Sequence, residues 1–293
     1  MRPAAGLPIP DAGMKPNGSV ATMGIGADDY RAFCQQLEAA TGIVLGDNKE
    51  YLVVSRTRRL LVEYGLGTVG ELLAKLRSGA VSGLLDRVID VMTTNETSWF
   101  RDSYPFAALR ERILPELVAA RRPRVRVWSA ACSYGQESYS IAMTMEEFRR
   151  FAPGAFSGGM SVVGTDISPT VLSAANAGRY DSLAMARGLA PELKQRYFRP
   201  QGQAWEVIPQ VREKVRFQAL NLLDSFVTLG RFDVIFCRNV LIYIAPKPRG
   251  QILARLKQSL EPGGYLVLGG SEPLTDPDFE MIRHGSGLIY RRR

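Results

Sequence analysis

The chain has 293 residues, 46% of them hydrophobic and 23% charged, the composition of a folded globular protein with room for one large domain or two modest ones. No apolar run approaches the ~18 residues of a membrane span, and the first residues lack the basic start and apolar core of a secretory signal. Three scattered cysteines (Cys34, Cys132, Cys237) and a single histidine, His284, exclude a disulfide framework and a histidine-rich metal centre, so a cytoplasmic protein is expected. The formal net charge of +8 favours an acidic partner without choosing among nucleic acid, anionic membrane and acidic protein surface.

Residues 1–24 are rich in Gly, Pro, Ala and Met without apolar periodicity, and read as a disordered leader. From Asp28 to about Met92 the spacing turns helical, giving a helical domain over residues 25–94. Asp28 or Asp29 is expected to cap a first helix carrying Tyr30, Phe33 and Leu37, with Gly42 ending it. A second helix, Lys49–Tyr64, sets Arg56, Arg58 and Arg59 beside its apolar stripe. That face is either a solvated surface or a docking surface for an acidic partner. A third helix starts near Thr68 and a fourth spans Val81–Met92. The polar stretch Thr93–Asp102, TTNETSWFRD, then separates two helical regions and offers Asn95, Thr97 and Arg101 as ligand-facing side chains.

After a helix over Pro105–Arg121 comes VRVWSAACSYGQESYSIAM, Val125–Met143. Its apolar alternation gives way to small residues and then to helical spacing, with Glu137 at the positive end of the helix. Strand, small-residue turn and helix bring backbone close to a nucleotide-like ligand, although the same pattern without a ligand is an ordinary βα turn. The strand Met160–Gly164 leads to Asp166, placed either to accept from a ribose hydroxyl pair or, with Ser168, to cap the helix Pro169–Ala177. Trp205, Val207 and Ile208 suggest a hairpin within the polar segment Gly188–Val215. The strands Val215–Leu220 and Phe232–Phe236 run into Asn221, Leu222, Arg238 and Asn239, which lines polar groups along one edge of a parallel sheet. A helix over Gly250–Leu260 is expected to close at Pro262–Gly264, with strands at Tyr265–Leu268 and Leu288–Arg291.

The blocks TTNETSWFRD, VWSAACSYGQESYSIAM, GTDIS, NLLD, FDVIFCRNVLIYI and GGYLVLGGSEPL, in this order, resemble the CheR-type chemotaxis receptor methyltransferases over roughly Asp28 to Arg293. The resemblance implies an α/β fold: a Rossmann-like S-adenosylmethionine-dependent methyltransferase domain over 95–293 with a small β-subdomain about 190–216, preceded by the helical domain. It implies methyl transfer from S-adenosylmethionine, leaving S-adenosylhomocysteine, to glutamate side chains on the cytoplasmic helices of chemoreceptors, without a metal. By motif, Asn95, Thr97 and Arg101 should line the cofactor, and Glu137 should sit near its methionine part. Asp166 should hold the ribose, Asn221 and Leu222 should flank the adenine, and Arg238 and Asn239 should close the pocket. Arg101 and Tyr243 are the positions near the transferred methyl, and Arg56, Arg58 and Arg59 resemble the receptor-docking helix. The implied partners are the receptor and a regulatory protein, with neither nucleic acid nor membrane insertion, and the chain is expected to be a monomer.

The sequence departs from the family where the usual STGEEPYS reads SYGQESYS. Tyr134 is expected to add bulk beside the cofactor turn, and Trp99 stands where Phe is usual. The segment Arg199–Lys214 is short for members that grip a receptor's tether peptide. A carboxylate acceptor is ionised near neutral pH and needs no general base, which suits a chain with one histidine. A methyltransferase with a different acceptor and a cofactor-binding signalling module without turnover are the alternatives. A dinucleotide oxidoreductase fits poorly, since the sequence contains no G-x-G-x-x-G.

Overall fold

The computed structural model describes residues 24–293, so the expected leader lies outside the described residues except for Gly24. The first region is built from α1 (Ala27–Thr41), α2 (Glu50–Glu63), α3 (Val69–Ser78) and α4 (Leu84–Met92). Their apolar stripes meet in one core around Phe33, Leu37, Val53, Leu60, Leu72 and Val88. The expected cap of α1 is corrected. Gly26 occupies that position, while Asp28 and Asp29 lie in the first turn, where carboxylates suit the helix dipole without capping. Thr68 does cap α3, its hydroxyl accepting from the Glu71 N–H. Gly42 ends α1 with φ +75, as the spacing predicts.

The next helix runs as α5 (Tyr104–Ala108), a π-turn (Leu109–Ile113) and α6 (Leu114–Ala119). Pro115 has no N–H to give the preceding turn, and the helix widens immediately upstream of it. The chain then alternates: β1 (Val125–Ala130), α7 (Gln136–Phe151), β2 (Met160–Asp166) and α8 (Pro169–Ala177). A smaller region follows: β3 (Arg179–Tyr180), α9 (Ser182–Met185), α10 (Pro191–Tyr197), β4 (Phe198–Gln201), β5 (Ala204–Val207) and α11 (Pro209–Arg212). Finally come β6 (Val215–Ala219), β7 (Phe232–Cys237), α12 (Pro246–Ser259), β8 (Leu260–Leu268), β9 (Phe279–His284) and β10 (Gly287–Arg292).

Seven strands form the main sheet in the order β6-β2-β1-β7-β8-β10-β9. The run from β6 to β8 is parallel, and β10 and β9 complete it antiparallel. The chain winds outward from β1 to β6 and returns to β7, so the switch point lies between β1 and β7. β1 and β7 are buried almost throughout, as central parallel strands must be.

Three details differ from the sequence reading. Glu261–Gly264 does not close a helix but belongs to β8, whose register against β7 shifts there, with Gly263 at φ +73. Strand β9 was not anticipated. The small sheet, order β3-β5-β4, draws one edge from Arg179–Tyr180, upstream of the expected 190–216 span, while Val215 and Arg216 belong to the main sheet. The hairpin around Trp205 is present as β4 and β5.

Candidate active site

The parallel strands deliver their C-terminal ends to one edge, where a cleft opens. Its floor comes from Ala131–Ser133 after β1, Asp166 and Ile167 at the end of β2, Leu220–Leu222 after β6, and Arg238–Val240 after β7. Its other walls are Thr41 and Ile43 from the helical region, Thr93–Thr97 and Arg101 from the junction, and Tyr243 and Ile244. Every residue that the sequence places at a cofactor, together with Tyr243, therefore lines one cavity: Asn95, Thr97, Arg101, Glu137, Asp166, Asn221, Leu222, Arg238 and Asn239.

The turn after β1 is tightly built. Gly135 has φ +87, and a Cβ there would stand 2.9 Å from the Ala175 Cβ and 3.0 Å from the Phe217 ring, so only glycine lets α7 start so close to α8 and β6. Ala131, Ser133 and Asn239, all lining the cleft, hold left-handed φ of 56°, 53° and 57°. L-residues keep that conformation only where their surroundings enforce it.

Asp166 is buried, and each of its carboxylate oxygens accepts one backbone N–H, from Ser133 at 2.8 Å and Ser168 at 3.0 Å. Burial raises its pKa above the ordinary aspartate value of 3.8, against the lowering effect of the Ser168, Ser133 and Ile167 backbone N–H groups. Capping of α8 falls to Ser168, whose hydroxyl accepts from Val171. Asp166 thus keeps lone pairs for a ligand. Across the cleft, the Arg238 guanidinium donates to Glu137 at 2.8 Å, to Asp102 at 2.8 Å and to the Arg101 carbonyl at 2.9 Å. Glu137 also accepts from the Ser129 hydroxyl at 2.8 Å. The Arg238 side chain is 1% exposed, and its Nε has no partner among the described residues.

Arg101 donates to the Glu96 carbonyl at 3.0 Å and is otherwise unpaired among the described residues. Tyr243 is 43% exposed at the mouth. The Asn221 amide is occupied within the protein, donating to the Ala40 carbonyl at 2.7 Å and accepting from Leu223 at 3.0 Å. It therefore ties α1 to the loop after β6 at this side of the cleft. The Ser133 hydroxyl ties the junction to the β1 turn by donating to the Asn95 carbonyl at 2.8 Å. A short strap from the helical region closes one side. Ile43 bridges Ile244, the Val44 N–H donates to the Tyr243 carbonyl at 2.9 Å, and the Ala245 N–H donates to the Gly42 carbonyl at 2.9 Å.

Two expectations change here. Tyr134 does not line the cleft; its side chain is exposed and its carbonyl accepts from the Tyr180 hydroxyl at 2.8 Å. Arg56 separates from Arg58 and Arg59. Its guanidinium donates to the Met92 carbonyl at 2.6 Å, the Thr93 carbonyl at 3.2 Å and the Thr94 hydroxyl at 3.1 Å, while Arg58 and Arg59 stay exposed. Sequence reasoning missed Thr41, Ile43 and Ser133, whose roles depend on the strap and the turn rather than on charge.

The donor set fits S-adenosylmethionine. Asp166 offers acceptors for a hydroxyl pair, and Ile43, Leu222, Val240 and Ile244 give apolar walls for a purine. The Glu137–Arg238 pair closes the wall that an amino-acid end would meet. Among the described residues no group of His, Cys, Asp or Glu could hold a metal ion, and no helix is long and apolar enough to cross a membrane. Fold and donor set together define an S-adenosylmethionine-dependent methyltransferase. The profile "CheR methyltransferase, SAM binding domain" matches residues 95–286, and "CheR methyltransferase, all-alpha domain" matches residues 28–93. The chain is 49% identical over 269 residues to chemotaxis protein methyltransferase 1 of Pseudomonas aeruginosa, covering 90% of this chain and 98% of that one. It is 47% identical over 275 residues to chemotaxis protein methyltransferase Cher2 of Pseudomonas putida, covering 92% and 100%. The chain belongs to the CheR methyltransferase family.

Proposed function

We propose that this protein methylates glutamate side chains on the cytoplasmic helical domain of chemoreceptors, forming glutamyl methyl esters in the cytoplasm. The observation that carries the reading is the open mouth of the cleft, where Arg101 and Tyr243 face an incoming acceptor while the other charged groups are tied into the walls. Bound S-adenosylmethionine supplies a methyl group activated on a sulfonium. The acceptor carboxylate, with a reference pKa of ~4.3, arrives ionised, so no group of the protein has to remove a proton. Held by Asp166 and Glu137, S-adenosylmethionine would supply its methyl group to one carboxylate oxygen of the acceptor and remain as the neutral thioether S-adenosylhomocysteine. Arg101 holds and orients that carboxylate by a charge-assisted hydrogen bond, and the Tyr243 ring or hydroxyl borders its approach.

In this reading residues 25–94 dock the receptor and residues 95–293 carry the chemistry. The exposed face of α2 supports the first part: Arg58 and Arg59 lie between Tyr51, 65% exposed, and Val62, 73% exposed, at helical spacing. Receptor methylation helices are acidic, which suits this face and the net charge of +8. The test is transfer of radiolabelled methyl to a purified receptor cytoplasmic domain. Arg101→Ala is expected to reduce turnover by about 100-fold or more while S-adenosylhomocysteine still binds. Turnover near wild type would remove Arg101 from the site. Equal labelling of free glutamate or RNA would redirect the acceptor assignment.

A further inference from the structure

We infer that Glu272 is a positioning residue for the cofactor cleft, the peg from which the loop after β7 hangs. Glu272 follows β8, is 6% exposed and does not line the cleft. Its carboxylate accepts four backbone N–H groups: Asn239 at 2.7 Å and Gly269 at 2.8 Å on one oxygen, Val240 at 2.9 Å and Ile242 at 3.2 Å on the other. Three of these donors belong to the loop whose Asn239, Val240 and Tyr243 wall the cleft. Among the described residues no Lys or Arg pairs with Glu272, so converging peptide dipoles alone compensate the buried charge.

The geometry also explains the left-handed Asn239. With its own N–H and the next one both aimed at the same carboxylate, the backbone at Asn239 must curl into that conformation. Gly269 is part of the same lock. A Cβ there would lie 2.5 Å from the Glu272 oxygen and 3.0 Å from the Asn239 nitrogen. The neutral isostere cannot substitute, because the amide of a glutamine would turn an NH2 donor against two N–H donors.

The inference rests on the cofactor assignment, and the experiment separates the two. Glu272→Gln is compared with wild type by calorimetric titration with S-adenosylhomocysteine, by steady-state kinetics and by amide exchange in the cofactor-free protein, with circular dichroism confirming the fold. The expected result is a Kd raised about tenfold or more and a KM for S-adenosylmethionine raised in parallel. The kcat at saturation should change less than about threefold, and the Asn239, Val240 and Ile242 amides should exchange faster. A folded variant that binds within about twofold of wild type and keeps those amides protected would overturn the inference. Should Glu272→Gln fail to fold, Gly269→Ala keeps the carboxylate but displaces it, and the same criteria decide. Failure of wild type to bind S-adenosylhomocysteine would strike the cofactor assignment instead, and amide exchange would still decide the role of Glu272.

Discussion

Asp166, at the end of β2, and Glu272, after β8, flank the central pair β1 and β7 and are both buried carboxylates held by backbone N–H groups. They differ in what remains after the protein has taken its share. Asp166 accepts two such bonds and Glu272 four, so Asp166 faces the cleft with acceptor capacity to spare while Glu272 has none. The residue type is nearly the same in the two places. The number of convergent N–H groups separates a carboxylate with acceptors left for the proposed ligand from one wholly taken up by the fold.

Arg238 sharpens the comparison because side chains, not backbone, satisfy it. Removing it leaves the largely buried Glu137 without its counter-charge, so Arg238→Ala is expected to lower stability by about 3–5 kcal/mol in urea unfolding. Loss of under about 1 kcal/mol would mean that Ser129 alone suffices for Glu137. If Asp166 holds the ribose as proposed, Asp166→Ala should weaken S-adenosylhomocysteine binding by about 100-fold in calorimetry. A loss below about fivefold would break the contrast with Glu272.

A smaller effect follows from pH. Burial raises the Asp166 pKa in the folded protein above 3.8, so the folded chain takes up this proton at higher pH than the unfolded chain. The stability contribution of this group is therefore fully present below its unfolded pKa and is lost as pH rises through the folded one. Cofactor affinity runs the other way, since a bound ribose needs the ionised acceptor. Titration from about pH 7 towards pH 4 should weaken S-adenosylhomocysteine binding in wild type, and Asp166→Asn should flatten that dependence. The smallest expected change concerns a polar atom with no partner. Trp99 is fully buried, packs edge-on against Tyr180 and Phe198, and leaves its indole N–H unpaired among the described residues. Trp99→Phe removes that donor and some contact area together, and thermal unfolding should show a net change within about 1 kcal/mol.

The elements that repeat a period were legible in the sequence: the stripes of α1 to α4, the buried runs of β1 and β7, and the polar residues that end the parallel strands. The candidate cofactor residues were legible through the resemblance because each sits in a compact motif. Features that depend on distant backbone were not. Glu272 stands in a quoted block, GGSEPL, yet its partners are main-chain N–H groups some 30 residues away, which no side-chain pattern announces. Arg56 looks like its neighbours Arg58 and Arg59, and only the folded loop at Met92–Thr94 turns it inward. The start of β8 was misplaced because Pro262, Gly263 and Gly264 mark a bulge in a strand as readily as a helix stop.

The strap at Gly42–Val44 bears on how such proteins can be recombined. Its backbone pairs with residues 243–245, and a Cβ at Gly42 would press on Leu223 and Ile244 at 3.2 and 3.3 Å. The all-helical region is thus not a module that can be exchanged independently of the domain that follows it. A chimera that takes its first 94 residues from a relative inherits part of the cleft wall as well. Such a graft should work only when donor and recipient agree at Gly42, Ile43, Leu223 and Ile244.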